Sequence, residues 1–425
     1  MQNKIFKSSL FGQSLVYTFS NFLNSGISFL LVPILTRHIP VSDYGLLTMF
    51  SLLITFLTPF IGLNIHGAIT RKYFQKDEIK FERYVGTCIM LLLFSTLVVL
   101  TFAFLFKSVL IRLTDLEWKY LLMIILICFS QFVNLTLLSI WQAKMRAVWY
   151  AILQVSIAVL NIGISLYFVV FLDLGWEGRV YGQLIATSAA SVVSIYILLS
   201  KKIMVIGFDV DYAKHALKFS IPLIPHSIGA VVISLTDRFV LKNTLGLAES
   251  GLYMLAYQLA GVLAIGTSAI NSAFIPWLYG KLSHANDEDK LKIVKLTYFM
   301  MGGLVVVFMA ISIMAKIIWP YIVGIEYQQA FKYFPLVLLS FVFNGMYLLV
   351  TNYLFYCEKT AILGILTFVV AVLNIPLTYL FIYISPYNGA AISLAISGGL
   401  MFAFTWYFAA KYYKMPWGLK LAVAK

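Results

Sequence analysis

The chain has 425 residues, of which 61% are hydrophobic and 11% charged, with a mean hydropathy of +0.92. That leaves too little polar surface to cover even one water-soluble domain, so the composition excludes a soluble globular protein and makes lipid the solvent. The formal charge of +14 is accounted for by membrane topology and by attraction to anionic headgroups; no base-reading motif accompanies it, and nucleic acid is not expected as a partner.

A span takes about 20 apolar residues. Apolar runs between charge clusters predict six spans near 13–36, 44–66, 84–106, 120–142, 149–172 and 179–200. Six more follow near 218–241, 250–275, 296–319, 333–355, 361–384 and 389–410. The opening MQNKIFKSSLFGQS has no small-residue cleavage site behind a short apolar stretch, so the first hydrophobic segment is expected to be a retained span. With the N-terminus cytoplasmic, 22 of the 31 basic residues lie inside and 9 outside, which sets both termini in the cytoplasm. Cys88, Cys128 and Cys357 are scattered in apolar stretches and form neither a disulfide framework nor a metal site; no cofactor is expected.

The chain repeats itself. AVLNIGISLYFV from Ala158 returns as AVLNIPLTYLFI from Ala371, and Asp43-Tyr44-Gly45 lies over Glu249-Ser250-Gly251. Leu116-Glu117-Trp118 aligns with Ile325-Glu326-Tyr327, and Glu177-Gly178 with Asn388-Gly389. Offsets this uniform predict two homologous halves, 1–206 and 207–425. The expected fold is therefore an all-α polytopic membrane protein of about twelve transmembrane helices, in two six-helix bundles related by a pseudo-two-fold axis along the membrane normal.

Polar stripes run along several spans. Ser14, Tyr17, Asn21, Asn24 and Ser28 share one face of the first, and Ser220, Ser227 and Ser234 repeat that register in the seventh. Gln154, Asn161 and Ser165 in the fifth correspond to Thr367, Asn374 and Thr378 in the eleventh. Small polar residues also join membrane helices without further purpose, but recurrence in both halves favours a hydrated cavity. Asn134-Leu-Thr136 matches a glycosylation sequon, yet it falls inside a span and is read as fortuitous.

Asp237 and Arg238 stand in the seventh span, where a charge at the bilayer centre costs about 2.5–3.5 kcal/mol. Sequence neighbours point in different directions, so each needs a partner other than its neighbour. Both follow Ser234 at helical spacing and can face the cavity. Arg37, His66, Arg71 and Lys242 sit close enough to span ends to act as interfacial anchors, and His226 reads as a packing residue.

The segment Thr36-Arg-His-Ile-Pro-Val-Ser-Asp-Tyr-Gly45 resembles a turn of polysaccharide exporters. Phe219-Ser-Ile-Pro-Leu-Ile-Pro225, Asp237-Arg238-Phe239 and Glu249-Ser-Gly-Leu-Tyr253 resemble the seventh and eighth spans of O-antigen and capsular polysaccharide flippases. With Glu326-Tyr327 and Asn388-Gly-Ala-Ala391, the likeness places the chain in the multidrug, oligosaccharidyl-lipid and polysaccharide exporter superfamily. It implies a flippase in the bacterial inner membrane that carries an undecaprenyl-pyrophosphate-linked repeat unit from the cytoplasmic to the outer leaflet. It further implies a functional association with polysaccharide polymerase and chain-length machinery, membrane lipid as surroundings, and no enzymatic activity.

On this reading Arg37, Asp237 and Arg238 are the charged substrate-binding candidates, with Asn21, Asn24, Ser227, Ser234, Asn161 and Asn374 bonding sugar hydroxyls. Twelve spans instead of fourteen set the chain apart from the lipid II flippases. The rival reading is a cation-coupled multidrug exporter, which would want a carboxylate inside the first six spans. The acidic residues there, Asp43, Asp77, Glu78, Glu82, Asp115, Glu117, Asp173 and Glu177, all fall in loops or at span ends. A polysaccharide polymerase would need a large outer loop with paired catalytic groups, and none is present.

Overall fold

The computed structural model describes residues 31–73, 79–221, 224–282, 286–357 and 359–418. Among them are sixteen α-helices and no strand. The first half holds α1 (Val32–His38), α2 (Val41–Gly62), α3 (Ile65–Tyr73), α4 (Phe81–Leu105), α5 (Lys107–Thr114), α6 (Trp118–Ala143), α7 (Ala147–Leu166) and α8 (Gly175–Ser200). The short α9 (Val210–Ser220) leads to α10 (Ile224–Leu245), α11 (Leu247–Ala260), α12 (Val262–Leu282), α13 (Asp287–Ile322), α14 (Phe334–Tyr356), α15 (Thr360–Ile384) and α16 (Gly389–Tyr412).

Ten helical segments are long and apolar enough to cross a membrane, with α11 and α12 counted as one. The chain is thus an all-α, multi-pass membrane protein. The first expected span lies almost wholly in residues 1–30, outside the described residues. The seventh overlaps α10, which carries Asp237, Arg238 and Lys242 and is not among those ten segments.

The chain divides into two compact units, residues 1–231 and 232–425. The division falls inside α10 because α9 packs on α3 and α4 of the first unit. Asp209 caps α9 by accepting from the amides of Asp211 and Tyr212. Tyr212 Oη then accepts from the Lys80 amide at 3.2 Å, and Tyr84 Oη meets His215 Nδ1 at 3.1 Å.

In the first unit α6 is the central helix, packed by α2, α3, α4, α7 and α8. Its Ile124, Ile127, Cys128, Val133 and Ile140 are fully buried, and Asn134, the sequon residue, donates to Thr187 O while accepting from Ser194 Oγ. The second span is broken. Leu63 and Asn64 both adopt the left-handed conformation between α2 and α3. The Phe132 ring fills the space where a Cβ on Gly62 would stand, and Ser95 Oγ donates to Ile61 O at 2.5 Å, satisfying a carbonyl that the broken helix leaves open.

In the second unit α14 takes the central place, against α11, α12, α13 and α16. The duplication is visible in the endpoints: α6 and α14 end at Ala143 and Tyr356, α7 and α15 begin at Ala147 and Thr360, all 213 positions apart. A 3₁₀ segment, Ile325–Lys332, fills the α13–α14 connection, where the first unit has only three residues between α5 and α6. This insertion shifts the offset. Lys332-Tyr333 stands 213 positions from Lys119-Tyr120, whereas the expected match of Leu116-Glu117-Trp118 with Ile325-Glu326-Tyr327 has an offset of 209.

Candidate functional site

The buried polar residues of the second unit converge on α10. Asp237 is 1% exposed. Tyr253 Oη of α11 donates to its Oδ2 at 3.0 Å, and Thr378 Oγ1 of α15 stands 2.9 Å from Oδ1. Thr378 Oγ1 is also 2.8 Å from the Asn374 carbonyl and 2.9 Å from Ser393 Oγ of α16. Asn374 Nδ2 reaches Ser397 Oγ at 3.0 Å and Ser393 Oγ at 3.4 Å, which leaves its Oδ1 buried with no partner among the described residues.

A hydroxyl has one proton, so Thr378 can donate either to Asp237 or to the Asn374 carbonyl and not to both. The cluster is short of donors, and no lysine, arginine or histidine forms an ion pair with Asp237 among the described residues. Such a buried cluster of oxygens is chemically suited to hold a proton on the carboxylate or to gather round a small monovalent cation. No group of three or more His, Cys, Asp or Glu side chains that could hold a metal ion occurs among the described residues.

Arg238 turns away from its neighbour. Its guanidinium lies 4.1 Å from the Tyr257 ring centroid, and Ser250 Oγ anchors its backbone carbonyl at 3.1 Å. The side chain is 5% exposed, yet Nε and Nη2 have no hydrogen-bond partner among the described residues. Those two nitrogens share one edge of the guanidinium, the edge that takes a carboxylate or phosphate with two parallel bonds. A buried cation with that edge open is costly unless an anion completes it.

Tyr253 and Tyr257 sit one turn apart on α11, on the face that also carries Glu249 and Ser250. Glu249 Oε2 receives Lys332 Nζ at 2.9 Å and the Tyr333 hydroxyl at 2.5 Å, and the Tyr333 ring meets the Tyr253 ring edge-on at 5.4 Å. The eighth span is thus a polar hub, and the Glu249-Ser-Gly-Leu-Tyr253 segment lies at its centre. The spacing of Glu249, Ser250, Tyr253 and Tyr257 carried the signal.

The first unit holds a different charge at the equivalent level. Asn161 and Ser165, counterparts of Asn374 and Thr378, both accept from Arg179 Nη1, the Ser165 bond measuring 3.0 Å. Arg179, near the start of α8, reaches back to α7. Arg37 is exposed at the end of α1 and donates to Pro33 O at 3.1 Å. Asn21 and Asn24 lie outside the described residues, as do the side chains of Ser227, Ser234 and His226. The structure therefore joins Asp237 to Asn374 and gives Asn161 to Arg179.

The family described as "Polysaccharide biosynthesis protein" matches residues 11–280. A protein of Haemophilus influenzae named "Lsg locus putative protein 1" is 25% identical over 405 residues, covering 91% of this chain and 96% of its own. An "Uncharacterized membrane protein" of the same organism is 26% identical over 361 residues, covering 83% and 85%. Among solved structures, the lipid II flippase MurJ in an inward closed conformation superposes with a TM-score of 0.71 at 15% identity, over 94% of this chain and 87% of that one. An inward-facing multidrug resistance MATE family transporter of the MOP superfamily gives 0.72 at 14% identity, over 95% and 96%. At these identities the two structures speak for the fold.

Proposed function

We propose that this chain, which belongs to the polysaccharide biosynthesis protein family, flips an undecaprenyl-pyrophosphate-linked oligosaccharide repeat unit from the cytoplasmic to the outer leaflet by alternating access. The chain is a transporter and not an enzyme: no bond of the substrate is broken, and the work is to conduct a polar headgroup past a bilayer that rejects it. One observation carries the substrate class. Arg238 is buried, stacked on Tyr257, and presents its Nε and Nη2 edge without a partner among the described residues. A phosphate oxygen pair matches that edge.

The hydroxyls and amides of Asn161, Asn374, Ser227 and Ser234, with Asn21 and Asn24 of the first span, are proposed to serve the sugar hydroxyls, and Arg37 an entry contact. Asp237 is assigned a different duty. Buried among Tyr253, Thr378 and Asn374, it gives the second unit a place for the proton or monovalent cation that would couple transport to a gradient. The protein works in the bacterial inner membrane with both termini cytoplasmic, next to the polysaccharide polymerase and chain-length machinery that consume its product. The rival multidrug reading shares the fold, but a buried guanidinium edge without a partner among the described residues suits an anionic ligand better than a cationic one.

The test is a graded series at Arg238 in a flippase-deficient strain, each variant first shown to reach the membrane at normal abundance. Export of surface polysaccharide should fall for Arg238→Lys and further for Arg238→Ala, since an ammonium supplies charge without the planar fork. Parental export by Arg238→Ala would sink the headgroup assignment. For the orientation, cysteines at Lys202 and Asp287 should react with a membrane-impermeant maleimide only after the cells are opened, and one at Lys107 before.

A further inference from the structure

The first unit contains an apolar groove that the transport reading leaves unused. It runs between α2 and α4, with Phe56 and Phe60 on one wall and Phe94, Val98 and Phe102 on the other, and encloses about 750 Å³. Ser95 is the polar residue on its wall, and its hydroxyl is engaged by the Ile61 carbonyl at 2.5 Å. The wall therefore offers no hydrogen bond, and only hydrocarbon can fill it without leaving polar groups unpaired. Phe94 is 66% exposed and Phe102 58%, so the groove opens sideways to the bilayer instead of into the packed interior.

Two features set its level and its direction. Lys107 Nζ stands 5.3 Å over the Trp118 ring, the kind of lysine and tryptophan pair that marks the membrane–water interface. From that corner at Phe106, the C-cap of α4, down to Leu91 is fifteen steps along the helix, about 22 Å at the α-helical rise. Half of the hydrocarbon core is only about 15 Å. The groove thus accepts one hydrocarbon chain along its full length, from the interface to beyond the midplane, where Leu217 of α9 closes it.

The interfacial end is also charged. Helix α5, Lys-Ser-Val-Leu-Ile-Arg-Leu-Thr, contains no acidic residue, and its Val109 and Leu110 form the roof of the groove. Lys107 and Arg112 flank those two residues and are both exposed. A molecule whose chain lies in the groove therefore has its headgroup between two cations on an amphipathic interfacial helix, a position that selects an anionic headgroup.

We propose that α5 and the α2–α4 groove form a binding site for one anionic glycerophospholipid, with its phosphate between Lys107 and Arg112 and one acyl chain along Phe94, Val98 and Phe102. The occupant is a bilayer lipid and not the lipid-linked cargo, because the groove opens directly to the bilayer and its wall carries nothing that could bind sugar. The bound chain fills the space beside the broken α2–α3 span, so it supports α4 where that helix satisfies the Ile61 carbonyl.

Brominated lipids test this. The full chain carrying Phe102→Trp is reconstituted in phosphatidylcholine vesicles containing either brominated phosphatidylglycerol or brominated phosphatidylcholine, and quenching of the introduced indole is read against the parent protein. Two cations near a surface predict a roughly five- to thirtyfold preference for the phosphatidylglycerol. Adding Lys107→Gln and Arg112→Gln should bring the preference close to one while quenching by brominated phosphatidylcholine persists, which also shows that the variant is folded around its groove. Equal quenching by the two lipids in the Phe102→Trp protein would overturn the proposal. So would displacement of brominated phosphatidylglycerol by a small amount of unbrominated long-chain isoprenyl phosphate, which would assign the groove to the cargo.

Discussion

Tyr120 and Tyr333, 213 positions apart, make the same contacts in separate units. Each donates its hydroxyl to a glutamate, Glu177 for Tyr120 and Glu249 for Tyr333, and each lies under the ammonium of the preceding lysine, at 4.7 Å for Lys119 and 5.0 Å for Lys332. The glutamates come from non-equivalent helices, α8 in one unit and α11 in the other. The duplicated element is therefore the lysine–tyrosine pair at the head of the central helix, and each unit has found its own carboxylate to hold it.

The same duplication fixes two glycines. A Cβ at Gly178 would stand 2.9 Å from Phe168 backbone carbon, and one at Gly389 would stand 2.2 Å from Phe381 backbone atoms, again a pair of sites at matching places in the two units. Gly178→Ala and Gly389→Ala should each destabilise their unit by about 1–3 kcal/mol, the usual range for overpacking against backbone. Gly364→Ala, with nothing within 4 Å of the added carbon, is the control and should leave the melting temperature of the purified protein unchanged.

At the buried carboxylate, Asp237→Asn keeps the shape and replaces one acceptor oxygen by a donor. The amide nitrogen can face Thr378 Oγ1, whose own proton then goes to the Asn374 carbonyl, while the remaining oxygen keeps the Tyr253 bond. Stability should therefore change by less than about 1 kcal/mol, with transport abolished if Asp237 carries the coupling ion. Thr378→Val should cost about 1 kcal/mol, because the carboxylate loses a donor. Transport by Asp237→Asn at the parental rate, in membranes with an imposed gradient, would remove the coupling role.

Tyr257 is expected to act through Arg238. The guanidinium sits 4.1 Å from its ring, a contact of about 0.5–2 kcal/mol in a desolvated setting. Tyr257→Phe keeps the ring face and should retain most of the export, whereas Tyr257→Leu should lower it several-fold at normal abundance. If Tyr257→Leu exports as well as Tyr257→Phe, the ring does not position Arg238.

His215 on α9 supplies a pH dependence. Burial, and then the nearby positive charges of Lys72, Arg71 and Lys218, hold its pKa below the ordinary histidine value. The unfolded chain then binds the extra proton more readily than the folded one. The stability that depends on neutral His215 is complete above about pH 6.5, the unfolded value, and is lost as the pH falls toward the lower folded value. Thermal denaturation of the parent should show this decline, and His215→Gln, which keeps a partner for Tyr84 Oη, should flatten it. An unchanged slope in His215→Gln would assign the acid sensitivity to other groups.

The amino-acid sequence by itself determined that this is a helical membrane protein with a repeated half, because hydropathy is a local property and a span of about 20 residues is read from one window. It marked Asp237 and Arg238 as charges needing a reason, and Asn161 and Asn374 as counterparts. Tertiary structure decided what those residues touch. Asp237 and Arg238 are neighbours in the chain but point to Thr378 and Tyr257, and Asn161 meets Arg179 while Asn374 meets Ser397. Equivalent positions thus acquired different chemistry, since a side chain's partner is set by the helix packed against it and that helix can stand more than a hundred residues away. The break at Leu63–Asn64 and the α2–α4 groove belong to the same class. Both exist because Phe132 and Ser95, on other helices, occupy the space and satisfy the carbonyl that α2 leaves open, a condition written in no single stretch of the chain.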